Sequence, residues 1–206
     1  ASCFPHHLKK GIQLYNKTAI EVCEGQDLDM QFESRANVSL NDYLEMIKLK
    51  TAVLVACALK IGAFIGDADD QDAELIYDFG IYLGIAFQVH DDILDVYGNQ
   101  ENFGKQVGGD IIEGKHTVLM ILAKNKASQT QEEELKQLLV NTAIKDELKV
   151  AKVTAIYDEL NVKQEAVNIQ HEYFEKALAA VSNLSLQDHK KEQLFSFSRA
   201  LMNRVV

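Results

Sequence analysis

The chain has 206 residues, of which 47% are hydrophobic and 25% charged, and its formal net charge is -10. This composition is typical of a soluble globular protein and excludes extensive disorder, and the negative charge argues against nucleic acid or an anionic membrane as the main partner. A single proline and the lack of any run of alternating apolar and polar residues predict an all-α fold, in one domain of residues 1–206.

Cysteine usage and the apolar stretches bear on the cellular compartment. Cys3, Cys23 and Cys57 are odd in number and widely spaced, so neither a disulfide framework nor a zinc site is expected. The apolar stretches at 52–65 and 79–89 are too short and too interrupted to span a membrane, and the N-terminus lacks the pattern of a signal peptide. A reducing cytoplasm is therefore the predicted location.

Two long helices are predicted in the first part of the chain. The first covers residues 8–33, where apolar residues recur at helical spacing. Ser39 or Asn41 can cap the second, which runs to about Gly66. Because its part at 52–65 is apolar on all sides, we expect a central, buried helix there.

An acidic loop, a third helix and a glycine-rich loop follow. The loop at 66–74 is predicted to be solvated. The helix after it, at 73–97, is apolar nearly all round until His90, which makes it a second core helix. Residues 98–115 then hold five of the eleven glycines. A long glycine-rich loop in a compact domain is usually functional.

The rest of the chain is predicted to form amphipathic helices. Their expected bounds are 116–124, 131–143, 146–160, 164–181 and from about Asp188 onwards.

Three aspartates end the third predicted helix, in the sequence FQVHDDILDVYG at 87–98. Asp91 and Asp95 are four residues apart and project from the same helix face, while Asp92 lies about 100° round from Asp91. Stacked carboxylates repel each other unless a cation lies between them, and Mg²⁺ binds through one or two carboxylates together with phosphate oxygens. The preceding apolar run places the motif at the mouth of an interior cavity and favours a Mg²⁺ site. The alternative is an exposed acidic helix end without a ligand.

Lysines that could bind a phosphate lie on both sides of this motif in the sequence. Lys105 and Lys115 belong to the glycine-rich loop, and Lys48 and Lys50 precede the apolar part of the second helix. Each lysine alone is typical of a protein surface. Together with the aspartates and the mobile glycine backbone, they predict a diphosphate site.

These segments resemble a known family. FQVHDDILDVYGNQENFGKQVGGDIIEGKHT resembles the second aspartate-rich region of trans-isoprenyl diphosphate synthases, with its following G-K-x-x-G-x-D-x-x-x-x-K pattern. Lys50 and Thr51 resemble an earlier K-T block, and EGQDLDMQFE at 24–33 resembles the G-Q-x-x-D helix. Since the three blocks occur in the family's order, the chain looks like a polyprenyl synthetase of the farnesyl or geranylgeranyl diphosphate synthase type.

The resemblance implies a fold and roles for single residues. The implied fold is an all-α isoprenoid-synthase bundle around a central cavity. Asp91 matches a Mg²⁺-binding aspartate at the allylic diphosphate, with Asp92 and Asp95 as direct or water-mediated partners. The other matches are the diphosphate-binding lysines Lys50, Lys105 and Lys115, the polar groups Thr51 and Gln88 beside the reacting carbons, the polar pair Gln26 and Asp29, and Phe87 near the isopentenyl group.

The implied reaction is head-to-tail prenyl transfer. The allylic diphosphate ionises, isopentenyl diphosphate attacks the cation, and loss of a proton gives a short-chain all-trans product. Mg²⁺ is the implied cofactor, and the two diphosphates are the implied partners. A homodimer through the helix that bears the G-Q-x-x-D block is also expected.

The sequence departs from the family in one respect. Family members carry a first D-D-x-x-D followed by an Arg-Arg pair, and a Gly-Lys-Arg segment before it, and neither pattern occurs in these 206 residues. We therefore expect that the family's N-terminal helices are absent and that the chain is inactive alone. A non-catalytic subunit of a partner synthase, a terpene cyclase and a plain helical interaction domain are the alternatives.

Overall fold

The secondary structure is helical throughout the part of the chain that the computed structural model describes, which is residues 5–35, 37–98, 107–141 and 143–203. These residues contain no strand, so the all-α prediction is confirmed. A π-helical turn, Lys48–Ala52, joins α2 to α3. The helices in chain order are α1 (Pro5–Phe32), α2 (Leu40–Ile47), α3 (Val53–Ile65), α4 (Asp70–Tyr97), α5 (Gly109–Glu113), α6 (Val118–Lys126), α7 (Gln129–Val140), α8 (Asp146–Glu159), α9 (Val162–Ser182) and α10 (Asp188–Met202).

Polar side chains fix where several helices begin. Ser39, not Asn41, caps α2: the Asp42 amide donates to Ser39 Oγ over 3.1 Å, and the Ser39 amide donates to Asp42 Oδ2 over 3.0 Å. Ser128 and Gln131 form the same reciprocal pair at the start of α7. Such capping boxes satisfy amides that have no partner inside the helix.

Helix α4 is the central element of the bundle. It packs most extensively against α9 on one side and α3 on the other. The contact with α3 is close because a Cβ at Gly80 would lie 2.5 Å from the Ala56 Cα, and one at Gly84 would lie 2.6 Å from the Ala52 Cα. Glycine is therefore required at both positions, and the second contact ties α4 to the π-helical turn.

The apolar helix at 52–65 is not buried on all sides, so this prediction is wrong in part. Ala52, Val53 and Ala56 are buried, but Leu54 is 57% and Ile65 is 70% exposed. The apolar sequence predicts that every face of this helix avoids water. Which faces are buried depends on the helices that pack against it. No helix in the described ranges covers this side of α3.

The predicted acidic loop at 66–74 is shorter than expected. Helix α4 begins at Asp70, and the Asp69 side chain caps it by accepting from the Asp72 amide over 2.8 Å. Three of the aspartates, Asp67, Asp69 and Asp70, are exposed, as predicted for this segment.

None of the described helices combines the length and apolar character needed to cross a membrane.

Candidate functional site

A cavity of about 330 Å³ opens between α1, α2, the π-helical turn, the C-terminal end of α4 and the segment around α5. Residues from each of these elements line it, and its wall is both polar and charged. Predicted site residues in this lining are Asp29, Lys50, Thr51, Gln88, Asp91, Asp92 and Lys115.

Three of the described site residues lie outside this lining. Gln26 is exposed on α1, and Phe87 is half-buried on α4 outside the cavity lining. Asp95 lies one turn beyond Asp91 and contacts the segment around α5. Lys105 lies outside the described residues.

The π-helical turn places Lys50 and Thr51 in the cavity wall. Single π-helical turns within longer helices often occur at functional sites, because the wider turn redirects side chains and backbone carbonyls. Helix α1 approaches this turn so closely that a Cβ at Gly25 would overlap the Lys50 backbone amide. The approach brings Asp29 to the Lys50 ammonium, and Lys50 Nζ donates to Asp29 Oδ2 over 2.6 Å. Lys48 instead pairs with Glu45 and does not line the cavity.

Asp91 is the exposed carboxylate of the acidic motif. It lines the cavity and has neither a hydrogen bond nor an ion pair with any residue in the described part of the chain. Because no donor in the described residues occupies it, this exposed carboxylate is open to an added cation, and Mg²⁺ prefers carboxylate oxygens.

Asp92 is buried, with 5% of its surface exposed, and it joins three helices. Its Oδ2 accepts from the Tyr43 hydroxyl over 2.7 Å and from the Val118 amide over 3.1 Å, and its Oδ1 accepts from Gln88 Nε2 over 3.2 Å. Burial raises the pKa of the Asp92 carboxyl to about 7, although the hydrogen bonds from Tyr43, Val118 and Gln88 lower it. The protein itself therefore supplies the partners of this carboxylate.

Gln88 lies between Asp92 and Thr51. Its amide nitrogen donates to Asp92, and its Oε1 accepts a long hydrogen bond of 3.4 Å from the Thr51 hydroxyl. The side chain is half-buried and lines the cavity. The π-helical turn and α4 thus present a linked pair of polar groups to the cavity.

Asp95 contacts the glycine-rich segment after α4. Its Oδ2 accepts from the Asp110 amide over 3.1 Å. Burial, followed by repulsion from the Asp110 carboxylate, raises the pKa of Asp95 to about 6. Lys115 Nζ lies 2.9 Å from Asp110 Oδ1 and 2.7 Å from Glu113 Oε2. These hydrogen bonds, first the one that Lys115 donates to Glu113 and then the one that it donates to Asp110, raise the pKa of Lys115, so its ammonium remains charged.

The short helix α5 is held from outside by α8. Gly108 has a φ of +80° and lies against Val150, where a Cβ would come within 2.6 Å of the valine methyl groups. The buried Lys149 donates to the Ile112 carbonyl over 3.2 Å and to the Leu139 carbonyl over 3.3 Å. These contacts fix the backbone that presents Asp110 to the cavity.

Sequence reasoning missed several residues that line the cavity, among them Tyr43, Asp110 and His116. Asp110 was signalled by the G-K-x-x-G-x-D pattern, in which it is the final aspartate. Burial and the nearby Lys124 lower the pKa of His116. Tyr43 and His116 gave no signal, because their positions depend on how α2 and α6 fold against α4.

The donor set fits a Mg²⁺ ion that is shared with a diphosphate. No group of three His, Cys, Asp or Glu side chains within the described ranges could hold a metal by itself. Mg²⁺ usually binds through one or two carboxylates while water and substrate phosphates complete its shell. Asp91 offers such a carboxylate, and Lys50 and Lys115 offer charges for phosphate oxygens in the same cavity.

Comparison with known proteins matches residues 3–160 to the family described as polyprenyl synthetase. A short chain isoprenyl diphosphate synthase of Methanothermobacter thermautotrophicus is 39% identical over 166 residues, which cover 80% of this chain and 50% of that protein. A geranylgeranyl diphosphate synthase of Methanosarcina mazei is 46% identical over 122 residues, which cover 59% of this chain and 38% of that protein. This chain thus spans about half the length, or less, of these relatives.

A solved structure shows the same fold. The crystal structure of a geranylgeranyl pyrophosphate synthase superimposes with a TM-score of 0.90 at 40% identity, covering 96% of this chain and 62% of that one. The family match extends over more than half of the chain and includes both the π-helical turn and the acidic end of α4. The chain belongs to the polyprenyl synthetase family.

Proposed function

We propose that this chain provides the half of a trans-prenyltransferase site that binds an allylic diphosphate with Mg²⁺. The reaction served by the complete site is the condensation of that substrate with isopentenyl diphosphate to a short-chain all-trans isoprenyl diphosphate. The relatives named above support the reaction class.

One observation carries the proposal. The carboxylate of Asp91, which has no partner among the described residues, lies in the same cavity as the ammonium groups of Lys50 and Lys115. An aspartate with a purely structural role would pair with a protein donor. An aspartate on an ordinary solvated surface would not share a cavity with two lysines. A diphosphate with its metal ion would give Asp91 a cation and would offer phosphate oxygens to both ammonium groups, which pair here with Asp29 and with Asp110 and Glu113.

In this proposal, different residues contact the diphosphate end of the substrate and its reacting carbon. Asp91 holds the metal, Lys50, Lys115 and Lys105 bind diphosphate oxygens, and Asp95 supports this end, while Asp92 lies behind Asp91 and is bonded to Gln88. When bound, Mg²⁺ neutralises the negative charge that grows on the departing diphosphate. Thr51 and Gln88 face the carbon that loses the diphosphate, where an amide or hydroxyl oxygen stabilises a growing positive charge.

The second substrate is assigned to the α1 side of the cavity. Gln26, Asp29 and Phe87 are proposed to lie near isopentenyl diphosphate, and of these Asp29 reaches the cavity through its ion pair with Lys50. Phe32, Met46 and Ile47 add apolar wall. An apolar wall excludes water, which would otherwise capture the allylic cation as an alcohol.

We expect the chain alone to bind Mg²⁺ and diphosphate weakly and to show negligible turnover. Its sequence holds one D-D-x-x-D, whereas the family reaction as set out above uses two. Prenyl transfer by these 206 residues at rates typical of a complete synthase would contradict this expectation.

The test of the proposed function is thermal unfolding of the chain with Mg²⁺, with a non-hydrolysable allylic diphosphate analogue, and with both. We expect stabilisation only when both are present, and none in Asp91→Ala. Asp70→Ala, which changes an exposed aspartate at the other end of α4, serves as the matched control and should respond like the unmodified chain. No stabilisation by the pair would favour the non-catalytic subunit.

We also propose a homodimer in a reducing cytoplasm. Leu8, Ile12 and Tyr15 recur at helical spacing on α1 and are exposed, and an apolar stripe of this kind favours association. The cysteines Cys23 and Cys57 are both free thiols. Light scattering that gives the mass of one chain would contradict the dimer.

A further inference from the structure

The buried carboxylate of Asp92 is the second aspartate of the acidic motif, and its environment differs from that of Asp91. Three protein donors already occupy it: the Tyr43 hydroxyl, the Val118 amide and the Gln88 side-chain amide. A metal ion that bound Asp92 would have to displace at least one of them. The side chain is also 5% exposed, whereas Asp91 is open to the cavity.

We propose that Asp92 is a positioning residue, which orients the amide of Gln88 and does not bind the metal. This inference rests on the proposed function and assigns one residue of the same site. The two adjacent aspartates then have different roles. Asp91 binds the metal, and Asp92 orients Gln88, which lies one helical turn before it.

The orientation of Gln88 follows from which groups can donate. Both oxygens of Asp92 act as acceptors, Oδ2 for Tyr43 and Val118 and Oδ1 for Gln88 Nε2 over 3.2 Å, so Gln88 turns its NH₂ towards Asp92. The amide oxygen is then forced to the opposite side, where the Thr51 hydroxyl lies 3.4 Å away and the cavity begins. Asp92 thereby directs the negative end of the amide dipole towards the substrate carbon.

Two other helices hold Asp92 in place. Tyr43 and the Val118 amide both donate to Oδ2, which leaves Oδ1 for Gln88. Tyr43 is fully buried on α2, and Val118 is the first residue of α6. A carboxylate fixed by two helices cannot rotate to follow the amide, so it imposes one of the two amide orientations.

An asparagine at position 92 would reverse this arrangement. Its oxygen can keep the hydrogen bonds from Tyr43 and Val118, while its NH₂ replaces the acceptor that faces Gln88. Gln88 must then turn its own oxygen towards residue 92 and its NH₂ towards Thr51 and the cavity. The variant Asp92→Asn changes few atoms but presents a positive dipole end to the substrate carbon.

The first experiment measures the metal dependence of binding. Inorganic pyrophosphate is titrated into the chain by calorimetry at several Mg²⁺ concentrations, with Asp91→Asn and Asp92→Asn beside the unmodified protein. We expect Asp91→Asn to raise the Mg²⁺ concentration at half-maximal binding about tenfold or more, because a charged ligand is lost. Asp92→Asn should keep the midpoint of the unmodified chain. A shift in Asp92→Asn as large as that in Asp91→Asn would make Asp92 a metal ligand and overturn the proposal.

The second experiment measures the preference for positive charge at the substrate carbon. Two allylic diphosphate analogues are compared, one with an ammonium nitrogen at the reacting position and one with neutral carbon there. The ratio of their affinities should fall in Asp92→Asn and fall less in Tyr43→Phe, which loosens Asp92 but leaves it an acceptor. Ser198→Ala, which removes a buried hydroxyl on α10, is the control for a general loss of stability and should keep the ratio. An unchanged ratio in Asp92→Asn would contradict the positioning role.

The hydrogen bond that the Gln88 NH₂ donates can be tested without any ligand. In ¹⁵N-labelled protein, the Gln88 side-chain amide should exchange with solvent much more slowly than that of exposed Gln129, and Gln88→Leu assigns its signal. Exchange as fast as that of Gln129 would overturn the proposal even if Asp92→Asn does not fold. If the unmodified chain fails to bind pyrophosphate with Mg²⁺ while the Gln88 amide is protected, the proposed function fails and the orientation by Asp92 stands.

Discussion

The two ends of α4 carry similar acidic clusters and use them in opposite ways. Both ends have three aspartates within five residues, at 69, 70 and 72 and at 91, 92 and 95. The first cluster is satisfied by the fold itself. In the second, the Asp91 carboxylate at the cavity mouth has no partner within the part of the chain that the structure describes.

At the N-terminal end of α4, the carboxylates stabilise the fold through contacts within the protein. Asp69 caps it, Asp72 accepts from the Ser185 amide over 2.9 Å, and Lys10 lies 2.6 Å from Asp70. Negative charge at this end is favourable, because the helix dipole is positive here and the first amides lack internal partners. No cation needs to be added.

At the C-terminal end, the position of the aspartates is electrostatically unfavourable. Asp95 lies in the last turn, where the helix dipole is negative, and its pKa is raised to about 6 by burial and by Asp110. Asp91 is open, and the neighbouring cations Lys50 and Lys115 are held by Asp29 and Asp110. An acidic cluster therefore indicates a ligand when the described part of the fold leaves one of its carboxylates uncompensated.

The largest effect should come from removing the open carboxylate. Asp91→Asn is expected to weaken Mg²⁺-dependent pyrophosphate binding roughly 10- to 100-fold, because a charged ligand of the metal is lost. Calorimetry measures the change. Asp70→Asn at the other end should bind like the unmodified chain, and equal losses in the two variants would erase the distinction between the ends.

The next effect concerns the contact that holds the C-terminal half of α4 to the π-helical turn. Gly84→Ala should reduce the free energy of unfolding by about 1–3 kcal/mol, because the added Cβ overlaps Ala52. Gly62→Ala places its Cβ in open space on α3 and should instead stabilise the chain by about 0.4–1 kcal/mol. Urea unfolding compares the two, and a neutral Gly84→Ala would show that the contact is not tight.

A smaller effect is expected from the cap at the N-terminal end. Asp69→Ala should lower the free energy of unfolding by about 1 kcal/mol, since the Asp72 amide loses its acceptor. Asp69→Asn keeps an acceptor and should lie close to the unmodified chain in the same urea titration. A loss of pyrophosphate binding in Asp69→Ala beyond its loss of stability would contradict the purely structural role of this end.

The smallest effect is a change in titration at the C-terminal end. Asp110→Asn removes the negative charge that raises the pKa of Asp95, so this pKa should fall below about 6 and the carboxylate should ionise at lower pH. Carbon-detected NMR of the Asp95 carboxyl group follows it. Glu45→Gln is the control, because Glu45 pairs with Lys48 and neither lines the cavity, and a pKa that stays near 6 in Asp110→Asn would contradict this coupling.

Much of the fold could be predicted because local patterns decide it. Apolar periodicity and the Ser39 cap define where α1 to α4 run, and the final helices follow from their amphipathic pattern. The exposure of Leu54 and Ile65 could not be predicted, since it depends on which neighbours cover α3. The π-helical turn at Lys50 was also missed, because the segment after it is apolar on every side, so the one-residue shift of a π turn leaves no break in the pattern.

The charged residues of the candidate site could be predicted from the sequence, but their hydrogen-bond partners could not. Asp91, Lys50 and Lys115 follow from motif spacing and lie together in one cavity. Their roles remain predictions. The partners of Asp92 could not be read from sequence, because Tyr43 and Val118 are 49 and 26 residues away from it and meet it only after folding.

The most direct test of the account is a calorimetric titration of inorganic pyrophosphate into the unmodified chain, with and without Mg²⁺. We predict saturable binding to one site per chain with Mg²⁺, little binding without it, and loss of the Mg²⁺-dependent part in Asp91→Asn. Binding that is the same with and without Mg²⁺, or absent in both, would contradict the claim that Asp91, at the end of α4, binds Mg²⁺ together with a diphosphate.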